Sequence, residues 1–126
     1  MNKLIFVVVV AFLGSVSAKR VIGESLMGSH DNPKISAVVR VAEQRYNAEI
    51  NSIDYYIVKT ILKWEYVIFG AADYSIDVLF AQTDCKKPLK PNVLCEELPE
   101  GQKKKVRITA YVNTAREMET CTFKNI

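Results

Sequence analysis

Few side chains in this 126-residue sequence could take part in chemistry, and their types limit what that chemistry would be. There is one histidine, His30, and there are three cysteines, Cys85, Cys95 and Cys121. A structural zinc site needs four Cys or His ligands at short, regular spacing, and the sequence has neither that spacing nor an HExxH or CxxC motif. A nucleophilic pair would have to join Cys121 to His30. His30 lies in a polar stretch, where a sole imidazole reads as an exposed loop residue. Asp73 and Asp77 are four apart on a predicted strand, which is the spacing of a solvated face. No Gly-rich phosphate loop occurs. With no nucleophile, base or metal set, the chain reads as a non-enzyme without metal or cofactor.

Two further features concern binding. Lys103, Lys104, Lys105 and Arg107 form a basic run, but Glu96, Glu97 and Glu100 precede it and the net charge is only +3. That balance does not call for a nucleic-acid partner, and the run reads as a solvated loop. The second feature is Tyr66-Val67-Ile68-Phe69-Gly70, an apolar segment between two predicted strands. Turns there favour Asn, Asp, Gly or Pro. Such a segment is either an exposed tip that marks a contact surface or a stretch where the strands run on and the residues join the core. The pattern allows both.

The beginning of the chain has the layout of a signal peptide over residues 1–18. Lys3 is followed by an apolar run, Leu4–Leu13, and by the small residues of Gly14–Ala18. Ten apolar residues are too few for a membrane span, which needs roughly 20. The expectation is therefore a secreted, extracellular chain starting at Lys19, with residues 19–126 as one domain and no membrane partner after cleavage. Export makes Cys85 and Cys95 a disulfide candidate that closes a surface loop containing Pro88 and Pro91. Cys121 is left over: buried and inert, paired between chains in a dimer, or free and reactive. No Asn-x-Ser/Thr acceptor is present.

The positioning elements follow from periodicity. Asn32-Pro33 is a helix start, with an N-cap residue followed by proline. Ile35, Val38, Val39, Ala42 and Tyr46 then recur at helical spacing, and the helix should end near 49–51. From Ile53 on the signal is β. A strand over 54–65 should turn Tyr56, Val58, Thr60, Leu62 and Trp64 to one side. Further strands are predicted over about 72–83, 104–112 and 116–123. One early helix and four or more antiparallel strands make an α+β domain whose sheet wraps the helix.

This order of features resembles the cystatin family, inhibitors of papain-like cysteine proteases. The best local match is Gln44-Arg45-Tyr46-Asn47, similar to the family's acidic-Tyr-Asn near the helix end. The resemblance implies a cystatin-like antiparallel sheet of four to five strands around one long helix. It also implies a reversible inhibitor that blocks the cleft of a cathepsin-type protease with three segments. Counting from the match places Gly23, after Val21 and Ile22, on the family's N-terminal glycine. It places Tyr66, Val67, Ile68, Phe69 and Gly70 on the Gln-x-Val-x-Gly hairpin, Asn113 and Thr114 on the second hairpin, and Asn51 on the loop some members use against legumain-like proteases. Cys85 and Cys95 fall on the first disulfide of secreted members. In the second, Val106 stands where the partner of Cys121 would be. The sequence also departs from the family: Tyr66 replaces Gln, Glu24 replaces a second glycine, and the second hairpin lacks Pro-Trp. These departures define an alternative, a cystatin-fold secreted binding or host-interaction protein without inhibitory activity.

Overall fold

The computed structural model describes residues 19–24, for which only the backbone is considered, and residues 32–126. The expected signal-peptide segment, residues 1–18, and His30 lie outside the described residues. The elements are β1 (Lys19–Glu24), α1 (Pro33–Glu49), β2 (Asp54–Phe69), β3 (Ala71–Lys86), β4 (Lys103–Val112) and β5 (Met118–Asn125). The five strands form one antiparallel sheet in the order β1-β2-β3-β4-β5.

The helix begins as its sequence dictates. Asn32 Oδ1 accepts from the N–H groups of Lys34 (3.0 Å) and Ile35 (3.4 Å), and Pro33 occupies the first turn, where no donor is needed. Ile35, Val38, Val39, Ala42 and Tyr46 are all buried against the sheet. At the other end Lys87, beyond β3, donates its ammonium to the carbonyls of Asn47 (2.6 Å) and Ile50 (3.1 Å). A cation at this position satisfies acceptors that the helix leaves open and complements its dipole.

Sixteen-residue strands can wrap a helix only if they bend. The β2–β3 register shifts between Asp54 and Tyr56, Val58 and Thr60, and Ile61 and Lys63. Each irregularity adds twist and resets which face a side chain takes. The simple alternation expected for β2 therefore fails: Tyr55, Tyr56, Ile61, Trp64 and Tyr66 are buried, whereas Val58, Thr60 and Leu62 are only partly so. β3 keeps its alternation from Tyr74 to Phe80, as β4 does from Val106 to Ala110, with Ile76, Val78, Phe80, Val106 and Ile108 wholly buried.

The helix end is locked to the sheet by adjacent residues. The Tyr46 ring stacks on Phe80 at 3.9 Å and meets Phe123 edge-on at 5.2 Å. Asn47, 2% exposed, donates to the Tyr56 carbonyl (2.7 Å) and to the Glu43 carbonyl (2.8 Å), and accepts from the Tyr56 N–H (2.7 Å). One turn earlier the Glu43 carboxylate accepts from the Val58 N–H (2.9 Å) and the Tyr55 hydroxyl (3.3 Å). Burial pushes the Glu43 carboxyl above its usual range, and those hydrogen bonds only partly oppose the shift.

Asn47→Ala strands both backbone groups of Tyr56 in the interior and should lower stability by roughly 2–4 kcal/mol in urea unfolding. Because the folded Glu43 carboxyl is raised above 4.5, its contribution to stability is full below that pH and is lost as pH rises through the raised value. Glu43→Gln should therefore gain melting temperature relative to the parent as the pH moves from acid to neutral. A pH-independent difference would contradict this.

Candidate functional site: two hairpin tips at one end of the sheet

The β2–β3 hairpin turns at Gly70, with Phe69 paired to Ala71 across it. Gly70 has φ +95°, a conformation open to glycine and strained for other residues. Phe69 is 41% exposed. The apolar segment thus divides: Phe69 and Gly70 form the open tip, Val67 and Ile68 are half-buried, and Tyr66 belongs to the interior.

The placement of Tyr66 corrects the expectation that it contacts a partner. It is 6% exposed and lies between Trp64 (5.8 Å, stacked) and Tyr74 (5.1 Å). Its hydroxyl accepts from Asn32 Nδ2 at 3.2 Å. The side chain joins the helix N-cap to the sheet, a tie between distant segments that no local pattern announces.

The second hairpin spans 113–117 and is built by Asn113. The Asn113 N–H donates to the Glu117 carbonyl (2.9 Å), its carbonyl accepts from the Arg116 N–H (2.9 Å), and Oδ1 accepts from the Glu117 N–H (2.9 Å). Nδ2 donates to the carboxylate of Glu119 at 2.7 Å. Arg116 takes φ +67° to close the turn, which its residue type does not forecast. Thr114 is exposed, and a Cβ built on Gly70 would meet its Cγ2 at 3.7 Å. The two tips are neighbours.

Behind them a groove of about 730 Å³ runs between the first half of α1 and both hairpins. Val38, Val41, Ile68 and Met118 line it, with Lys34, Arg45 and Arg116 also on its wall. Arg45 is held there by its hydrogen bond to the Met118 carbonyl (2.7 Å). Arg45 and Met118 were not among the expected site residues.

The remaining expected residues fall elsewhere. β1 runs antiparallel to β2, with Lys19 opposite Ile68, Val21 opposite Tyr66, Ile22 opposite Glu65 and Gly23 opposite Trp64. Lys19 is the β1 residue nearest the tip. Gly23 is paired at a position six residues before Gly70, about 20 Å along a strand, so the register does not set it beside the bend. Asn51 is exposed in the α1–β2 connection, at the opposite end of the sheet. There Cys85 and Cys95 form the disulfide, Cα–Cα 5.5 Å. Cys121 is free and half-buried, and desolvation pushes its thiol up to about 11. Across the β4–β5 ladder it faces Ala110 rather than Val106, which pairs with Asn125.

Comparison with known proteins places this geometry. The family model described as the cystatin domain matches residues 28–116. Among solved structures, the crystal structure of Al-CPI superposes with a TM-score of 0.67 at 21% identity, covering 82% of this chain and 100% of that one. The crystal structure of dimeric human cystatin F gives a TM-score of 0.64 at 13% identity, covering 88% of each chain. Among curated proteins no match is found. The fold is thus shared with these structures, and the matched domain spans most of the sequence: the chain belongs to the cystatin family.

Proposed function

We propose that the chain is a secreted, reversible inhibitor of papain-like cysteine proteases that plugs the substrate cleft with its two hairpin tips. The observation that carries the reading is the juxtaposition of Gly70 and Thr114, with Phe69 exposed beside them. Both turns are held in place, one by the β2–β3 ladder that runs up to Phe69 and Ala71 on either side of Gly70 and the other by the hydrogen bonds of Asn113. Turns held in this way leave little ordering cost on binding, so apolar contact at the tips converts efficiently into affinity. Phe69 is the aromatic anchor, and Val67 and Ile68 support it from beneath. β1 supplies the third segment through its Lys19 end, with Val21, Ile22 and Gly23 continuing along β2. Asn51 takes no part in this edge.

A second reading, a cystatin-fold binding protein without inhibitory activity, is favoured by one observation. Tyr66 is buried, and Thr114 offers no aromatic anchor on the second tip. Inhibition at micromolar protein separates the two readings.

Titration of papain or a cathepsin with the chain from Lys19, its Cys85–Cys95 bridge confirmed, should show reversible inhibition. Phe69→Ser should weaken it about 10- to 100-fold, the range for losing a central anchor. Lys105→Ala, on the outer face of the sheet, should leave it unchanged. No inhibition at micromolar protein would defeat the proposal. For Cys121, a pKa of about 11 in place of 9 predicts alkylation by iodoacetamide at pH 8 about 100-fold slower than for an exposed cysteine. Non-reducing gels should show no dimer. Rapid labelling, or a dimer abolished by Cys121→Ser, would reverse that assignment.

A further inference from the structure

The end of the molecule away from the hairpin tips carries an apolar surface that the proposed inhibition leaves unused. Seven large apolar side chains are exposed among the described residues, and four of them lie here: Ile53 (64%), Leu89 (41%), Val93 (49%) and Leu94 (83%). Leu89, Val93 and Leu94 converge on one groove of about 600 Å³ within the stapled loop. Ile53 adjoins it, its carbonyl accepting from the Lys87 N–H at 2.7 Å.

The exposure is imposed by a fixed backbone. The disulfide closes the base of the loop, where the Asp84 N–H donates to the Glu96 carbonyl (3.0 Å) and the Glu96 N–H donates to Asp84 Oδ1 (3.0 Å). The Lys87 ammonium pins the loop to the helix carbonyls. With its base held in this way, the loop presents Val93 and Leu94 to solvent. An exposed apolar surface of this kind is a mark of an interaction site.

The charge and residue types indicate what covers it. The groove is lined by Lys86, Lys87 and Lys90 against one carboxylate, Asp84, which accepts from the Glu96 N–H. Lys87 is engaged by the helix, and Lys86 pairs with Asp54 while staying 59% exposed. Lys90 is exposed and has no partner among the described residues. Protein-binding anchors are enriched in Trp, Tyr and Arg, and the loop has none of them. Protruding aliphatic side chains beside lysines are instead the composition that settles at the boundary of an anionic bilayer. We propose that the 86–94 loop docks peripherally on an anionic lipid surface. Leu89, Val93 and Leu94 enter the interfacial layer, and Lys90 and Lys86 face the headgroup phosphates.

This docking differs from a membrane span, for which no described helix is long and apolar enough. It also departs from the sequence-based expectation of no membrane partner after cleavage. It is independent of the inhibitory reading, because the hairpin tips lie at the other end and remain free.

The test is co-sedimentation of the chain from Lys19, which carries every described element, with phosphatidylcholine vesicles made with or without phosphatidylserine. Binding should favour the phosphatidylserine vesicles and fall with added salt. Lys90→Glu should weaken that preference at least about fivefold, the usual effect of one lysine at such a surface. Leu94→Ser with Val93→Ser should abolish sedimentation while circular dichroism and the disulfide stay unchanged, and Phe69→Ser should leave it intact. Equal binding to both vesicles, or no loss in the Leu94/Val93 variant, would overturn the proposal. So would sedimentation velocity showing that the apolar loop is covered by a second copy in solution.

Discussion

The contact between the end of the helix and the start of β2 is the constraint on which the other features depend. Asn47 sits where neither backbone group of Tyr56 can reach water, and its one amide satisfies both while also bonding the helix carbonyl of Glu43. Beside it Tyr46 stacks on Phe80. These two consecutive residues set the direction in which the chain leaves the helix, and hence which face of β2 meets it. Buried polar groups of this kind cost little when fully paired and a great deal when one partner is removed. The geometry is correspondingly unforgiving.

With that junction fixed, the irregularities in β2–β3 bend the sheet around the helix, and the antiparallel strand order sets both hairpins at the same end. The Asn32–Tyr66 hydrogen bond ties the start of the helix to this end as well. The tips are thus supported from behind by helix and core. The far end is held differently, by a disulfide and a lysine capping the helix carbonyls. A small domain whose core is one helix deep gains most from staples where its sheet is least covered. The same staple holds Leu94 out in solvent.

Sequence pattern and tertiary structure agree wherever a residue's role is set by its neighbours in the chain. Asn32-Pro33 starts the helix, and the 35-38-39-42-46 stripe faces the core. The alternation of β3 survives over Tyr74–Phe80 and that of β4 over Val106–Ala110, where no bulge interrupts their pairing. The resemblance carried by Gln44–Asn47 led to the family that the domain match shows. Two of those residues, Tyr46 and Asn47, lock the helix to the sheet.

What the sequence determined alone was therefore the inventory: one helix, its start, the strands and the disulfide pair. Only the folded chain decided that Tyr66 faces inward, that Cys121 lies opposite Ala110, that Gly23 is paired well short of the bend, and that Gly70 lies next to Thr114. Each of these depends on strand register or on a bulge. Register is chosen by the fit of whole faces across the sheet, and a single added residue reverses which side every later one takes. Such a choice is made between segments distant in the chain, so no local run of residues contains it.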